Sequence, residues 1–217
     1  VGLGTVGAGL VKLLTTNKDL IEVRTGRKIE IFAVSAKNRR KKRKVDLENL
    51  RWVSDPMEIL NFDQIDCVVE LIGGHEGTAK DLVFGAINSG KSVVTANKAL
   101  IAHHGHEIAS LAEKKKVNVY FEAAVAGGIP IIRILLQSLS ANKTSQITGV
   151  INGTCNYILT EMEQNSLSYE TVFEEAKALG YVEADPELDI GGIDSAHKLV
   201  ILSNIAFNQK ASLKDML

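Results

Sequence analysis

The chain opens on Gly2-Leu3-Gly4-Thr5-Val6-Gly7, a Gly-x-Gly-x-x-Gly run, and an alternating series of β-rich and helical segments follows it. In such a turn the first glycine permits a tight bend and the second lets the backbone approach a pyrophosphate. The third lets the next helix pack closely, while that helix's N-terminus faces the negative charge. The spacing alone is weak, and its meaning comes from the strand-and-helix context. Here segments 29–35, 66–72, 92–96 and 117–123 read as short strands bounded by turn residues. Segments 5–14, 76–88 and 99–115 carry helical periodicity between them. The expectation is an α/β fold, a Rossmann-type doubly wound parallel sheet, with Gly2, Gly4, Thr5, Val6 and Gly7 contacting a dinucleotide.

The second half changes character. An apolar helix is expected over 130–139, a strand over 146–151, and helices over 156–164, 169–179 and 194–207, the last following Gly191-Gly192. The boundary falls near 127–130. Residues 1–128 are expected to form the dinucleotide-binding domain, and 129–217 an incomplete α+β catalytic and dimerisation domain. The first residues already form a turn that normally follows a strand, and no initiator Met precedes them. The chain is therefore read as a fragment cut at both ends. Its 25 basic and 26 acidic residues balance, which gives no global sign of a nucleic-acid or membrane partner. No apolar run approaches the roughly 18 residues that a membrane span needs. Cys67 and Cys155 fit no metal spacing and are expected to be free thiols in a reducing compartment.

A dinucleotide site of this type usually carries an acidic residue about 20 positions after the glycines, on the ribose hydroxyls. Here the second strand ends at Val34-Ser35-Ala36 and runs into Lys37-Asn38-Arg39-Arg40-Lys41-Lys42-Arg43-Lys44, with no carboxylate. Guanidinium groups suit a ribose 2′-phosphate, so NADP is expected over NAD, with Arg39 as the first contact and Arg40 next. Most of these cations are expected simply to be solvated. A nucleic-acid patch is a weaker reading, because the run directly follows a Rossmann strand.

Three further segments carry chemistry. Val94-Thr95-Ala96-Asn97-Lys98 places Asn97 and Lys98 at the carboxyl end of a strand, where ligands of open α/β sheets lie, although a capping Asn and an exposed Lys would look the same. Glu122-Ala123-Ala124-Val125-Ala126-Gly127-Gly128-Ile129-Pro130 could turn carbonyls inward around a hard cation, or be only an interdomain turn. The third segment runs from Gly180-Tyr181-Val182-Glu183 through Asp189 to Asp194 and Lys198. Asp194 and Lys198 stand one turn apart on one helix face, with Ile201 and Ile205 continuing their stripe. That helix is apolar nearly all round and is expected to be buried, so the charge pair reads as a site.

With Asn152-Gly153-Thr154-Cys155-Asn156-Tyr157-Ile158-Leu159 added, these segments resemble homoserine dehydrogenases across essentially the whole chain, in order. Cys155 stands where many members have Thr. The resemblance implies reversible reduction of aspartate 4-semialdehyde to homoserine, in the biosynthesis of threonine, methionine and isoleucine. It implies Lys198 as proton donor with Asp194 as its partner, and Glu183 on the substrate. Asp189, Gly153, Thr154 and Tyr181 would line the pocket, and Asn97, Lys98 and Gly180 would contact cofactor or substrate. A monovalent cation such as sodium would be held by Glu122, Val125, Gly127 and Ile129. A cytoplasmic homodimer is implied as well. Two other readings compete: another Rossmann dehydrogenase acting on a small amino acid or its aldehyde, and a nucleotide-sensing or nucleic-acid-binding module using the basic run.

Overall fold

The computed structural model describes residues 1–182 and 190–216, and its chain divides into two compact units, Val1–Ala124 and Val125–Leu217. In the first unit, α1 (Thr5–Thr16) and α2 (Lys18–Thr25) precede β1 (Ala33–Val34) and β2 (Arg51–Trp52). A 3-10 turn at Pro56–Asn61 leads to β3 (Cys67–Glu70), α3 (Thr78–Asn88), β4 (Ser92–Thr95), α4 (Lys98–Lys115), β5 (Val119–Tyr120) and a closing 3-10 turn at Glu122–Ala124. All pairings are parallel, β1 with β2 and β3-β4-β5 in that order. The backbone of the first two residues joins the two groups. Val1 N donates to Val69 O at 2.7 Å, Leu71 N donates to Val1 O at 2.9 Å, and Gly2 N donates to Ser35 O at 2.8 Å. Strand order therefore reverses around the glycine turn, with β1 on one side and β3 on the other. Such a switch point opens a crevice at the carboxyl ends of the strands.

Helix α3 shows why this unit holds together. Its buried residues Ala79, Leu82, Val83, Ala86 and Ile87 follow the spacing of a single helical stripe. They join Val68, Val93, Leu100 and Ile108 in a core almost without solvent contact. A smaller cluster of Leu3, Val11 and Val34 packs under Trp52, Leu47 and Leu50. Two elements of this unit lie outside the sequence reading. Helix α2 follows a break at Asn17 and ends on Gly26, whose φ of +68° is left-handed backbone suited to glycine. Strand β2 is only two residues long, too short to show a period.

The second unit is helical among the described residues. A short helix α5 (Ile131–Arg133) passes into a π turn at Ile134–Ser138 and is followed by α6 (Gly153–Asn165), α7 (Tyr169–Ala178) and α8 (Ile193–Phe207). Ile158 of α6 packs against Val172 and Ala176 of α7. The strand expected over 146–151 does not form: the segment is irregular and Val150 is 69 % exposed. Its β-branched residues suit a strand, but among the described residues of this unit no second strand offers a ladder. Helix α8 is buried along one face, through Asp194, His197, Val200, Ile201 and Leu202, while Ile193 and Leu199 remain exposed. Among the described residues, no helix is long and apolar enough to cross a membrane.

Candidate functional site

The three glycines of the opening turn meet different surroundings. Gly2 has φ +89°, and a Cβ there would lie 2.3 Å from Leu71 O. A Cβ on Gly7 would lie 1.9 Å from Gly2 O, so the close approach of α1 to the turn leaves no room for a side chain. Around Gly4 nothing lies within 4 Å of such an atom. Gly4 is also the N-cap of α1, which carries no acidic residue in its first turn and no side-chain cap. Open space over a helix N-terminus without its own carboxylate fits an incoming anion such as a pyrophosphate. Thr5 and Val6 stand exposed beside it.

The basic run is organised around one residue. Arg43 donates through Nε to Leu3 O at 2.9 Å, through Nη1 to Lys41 O at 2.9 Å and through Nη2 to Asn38 O at 2.8 Å. Its guanidinium therefore ties the run to the glycine turn. Arg43 and Arg39 both lie over the ring of Trp52, at 5.5 Å and 5.7 Å from its centroid. Arg39, Lys41, Arg43 and Trp52 line a cleft of about 270 Å³. Arg40 is exposed, and its backbone N–H donates to Asn38 Oδ1 at 3.0 Å. Trp52, the chain's single tryptophan, belongs to this cleft although the sequence reading did not single it out.

At the carboxyl ends of β3 and β4 the turns are joined by buried side chains. Asn97 caps α4 by accepting Leu100 N–H at 3.1 Å, and its amide donates to Gly74 O at 2.6 Å. Lys98 starts α4 and is half-buried. Glu70, absent from the sequence reading, is fully buried and accepts the Thr95 hydroxyl at 2.6 Å. Farther along the same loop, His75 stacks on His103 at 4.0 Å, and Glu76 pairs with Lys80 at 2.9 Å and His104 at 2.8 Å. The hydrogen bond from Lys80, then that from His104, hold the Glu76 carboxyl below the ordinary range. Burial, then the neighbouring His75 and His104, lower the His103 imidazole below its ordinary value.

In the second unit, Lys198 Nζ lies 2.6 Å from Asp194 Oδ2 and 2.6 Å from Ile151 O. The Asp194 carboxylate also accepts from Asn152 Nδ2 at 3.0 Å. Asp194 is nearly solvent-free and the Lys198 side chain is 18 % exposed. An ammonium has three donors. Among the described residues two of those on Lys198 are engaged, so it combines a fixed position with an outlet. Asn152 links this pair to the next element, because its Oδ1 caps α6 by accepting Cys155 N–H at 2.8 Å. Gly153 and Thr154 therefore follow directly on from the charge pair. The Thr154 hydroxyl donates to Tyr181 O at 2.8 Å, and Tyr181 rests 4.9 Å from the ring of Tyr157. Gly153, Thr154, Tyr157, Glu161 and Tyr181 line a cleft of about 460 Å³, and Gly180 holds a φ of +78° just before it. Tyr157 belongs to the family-like segment but had no role assigned from sequence, and Glu161, one turn farther along α6, was not singled out. Glu183 and Asp189 lie outside the described residues.

The four residues expected around a cation fall in two units. Glu122 lies in the last turn of the first unit, while Val125, Gly127 and Ile129 open the second. Ala126 and Gly128 have φ of +50° and +91°, and Ile129 N donates to Ala126 O at 2.8 Å.

Comparison with known proteins settles the family. The family model described as "Homoserine dehydrogenase, NAD binding domain" matches residues 2–122, and that described as "Homoserine dehydrogenase" matches residues 130–217. The chain belongs to the homoserine dehydrogenase family. It is 50% identical over 206 residues to a homoserine dehydrogenase of Pseudomonas aeruginosa, covering 95% of this chain and 47% of that one. It is 49% identical over 207 residues to the Neisseria gonorrhoeae enzyme, again covering 95% and 47%. A crystal structure of a homoserine dehydrogenase from Thiobacillus denitrificans superposes with a TM-score of 0.89 at 47% identity, over 98% of this chain and 49% of that chain. The chain thus spans about half the length of the curated homoserine dehydrogenases it matches.

Proposed function

We propose that the full-length protein is a homoserine dehydrogenase, which reversibly reduces aspartate 4-semialdehyde to homoserine with a nicotinamide cofactor. The observation that carries this reading is the half-buried Lys198 held by the buried Asp194 and Asn152 beside Gly153 and Thr154, in a chain of this family. Reduction of an aldehyde builds negative charge on the carbonyl oxygen, and a positioned ammonium stabilises that charge and then protonates it. Lys198 supplies the ammonium. Asp194 and the Ile151 carbonyl fix its direction, and Asn152 fixes Asp194. Thr154 and Tyr181, which line the cleft, border the substrate in this reading; the resemblance to the family gives Glu183 the substrate ammonium and Asp189 a place beside it.

When bound, the nicotinamide cofactor supplies the hydride. The open space at Gly4 and the uncapped N-terminus of α1 support its pyrophosphate there, with Gly2, Thr5, Val6 and Gly7 shaping the turn. Arg39 and Arg40, with no carboxylate in the run, support NADP over NAD. Asn97, Lys98 and Gly180 contact cofactor or substrate. Glu122, Val125, Gly127 and Ile129 offer the oxygen donors that suit a hard monovalent cation, and left-handed backbone at Ala126 lets the turn redirect its carbonyls. The enzyme works as a cytoplasmic homodimer within threonine, methionine and isoleucine biosynthesis.

The test is a steady-state assay of the full-length protein with L-homoserine, following nicotinamide absorbance with NAD and with NADP. The expected result is homoserine-dependent reduction of both, with the higher kcat/KM for NADP. No homoserine-dependent turnover with either cofactor overturns the reading, and a preference for NAD overturns only the role given to Arg39 and Arg40.

A further inference from the structure

Glu70 is the last residue of β3 and has no solvent contact. A carboxylate is costly to bury unless its oxygens are hydrogen-bonded, and a side chain needed only to fill that space would be apolar, as Val68 is. Its hydrogen bonds reach two different turns. Oε1 accepts Ile72 N–H at 2.6 Å and Gly73 N–H at 3.1 Å, and Oε2 accepts the Thr95 hydroxyl at 2.6 Å. The Thr95 oxygen in turn accepts Asn97 N–H at 2.9 Å, and the Asn97 amide donates to Gly74 O at 2.6 Å. The connections close on themselves, from Glu70 through the 72–74 turn to Asn97, then through Thr95 back to Glu70. Thr95 and Asn97 are buried as well. Gly73 and Gly74 have φ of +88° and +82°, so this turn adopts backbone that needs holding in place.

We propose that Glu70 is a positioning residue for cofactor binding. It fixes the turn after β3 to the head of α4, so that the two turns at the carboxyl ends of β3 and β4, and Lys98 with them, keep one spacing. Ligands of such sheets lie at this edge. Glu70 touches no ligand itself. It acts through Gly73, Gly74 and Asn97. The proposal rests on the dinucleotide role of the first unit, and it requires that loss of any member of the ring loosen both turns together.

The test uses the full-length protein and two substitutions at Thr95. Thr95→Val keeps the shape but removes the hydroxyl, leaving Glu70 Oε2 without its donor and Asn97 N–H without its acceptor. Thr95→Ser keeps the hydroxyl. NADPH affinity, read by nucleotide fluorescence, is expected to weaken about tenfold in Thr95→Val, equivalent to roughly 1.4 kcal/mol, and to return to within about twofold of wild type in Thr95→Ser. Glu70→Gln, which places an amide where the Thr95 proton needs an acceptor, is expected to weaken affinity in the same direction. Wild-type affinity in a folded Thr95→Val protein overturns the proposal, as does a lowered melting temperature with affinity unchanged. If wild type binds NADPH but does not turn over homoserine, the functional reading falls while the affinity difference still supports the ring. If wild type binds neither NADPH nor NADH, both fall; if it binds NADH alone, the same comparison is read with NADH.

Discussion

The glycine turn and the Lys198–Asp194 pair, the two parts of the proposed site, are built in opposite ways. In the turn the protein withholds side chains. Gly2 and Gly7 are required by its own carbonyls, 2.3 and 1.9 Å from where a Cβ would stand, and only Gly4 faces open space. On α8 the protein concentrates side chains, and a lysine, an aspartate, an asparagine and one carbonyl converge within 3.0 Å contacts. The first arrangement depends on shape and helix polarity, the second on one ammonium and its hydrogen-bond partners. The difference teaches where each site is vulnerable: the turn to added volume, the pair to loss of a single functional group.

Three substitutions would sharpen or break that contrast. Lys198→Ala in the full-length protein is expected to lower kcat by about 10²–10⁴-fold, the range of general acid catalysis. NADPH affinity should stay within about twofold, as a fluorescence titration would check. Gly7→Ala is expected to cost about 3 kcal/mol or more, since the new methyl meets backbone and not a movable side chain. Thermal unfolding would measure it. Gly4→Ala should cost no more than about 1 kcal/mol, through the cap alone. It should nevertheless weaken NADPH binding about tenfold, a loss of roughly 1.4 kcal/mol. Equal melting temperatures for the Gly4 and Gly7 variants would break the distinction between them.

The smallest effect concerns acid sensitivity of the loop after β3. His103 has its imidazole lowered by burial, then by His75 and His104, with Glu76 opposing. Below about pH 6.5 the unfolded chain therefore takes up more protons there than the folded one. The stabilising contribution is present above that pH and is lost as pH falls toward the folded value. Glu76, held low by Lys80 and His104, adds a loss in the same direction below about pH 4. His103→Gln should flatten the acid decline in melting temperature between about pH 6.5 and 5. An unchanged profile would show that this cluster is not linked to stability.

The features legible in the sequence were those with a strict period or steric rule. The stripe on α3 and the glycine spacing of the turn each determine their surroundings locally. The one-turn separation of Asp194 and Lys198 brought their side chains together as expected. Segment 146–151 misled because β-branched composition describes what a strand is made of and not whether a partner lies beside it. Glu70 escaped notice because a single glutamate after Val68-Val69 resembles the exposed end of a strand. Its burial depends on Thr95, a neighbour far along the chain. Trp52 was hidden for a related reason. A two-residue strand carries no period, and its cleft joins Arg39 and two cations that sequence alone treats as solvated, Lys41 and Arg43, to Val45, Leu47, Glu48 and Leu50.

The three carbonyls gathered by Arg43 have a consequence for how cofactor preference could change over time. Anchoring the basic run to the glycine turn falls to one guanidinium, and its bonds to Leu3, Asn38 and Lys41 involve no other side chain. A change at position 40 therefore leaves those three hydrogen bonds in place, and one at position 39 removes only its stacking on Trp52. On the proposed role of Arg39 and Arg40, cofactor preference changes there with the three Arg43 hydrogen bonds left in place, provided that position 43 remains arginine.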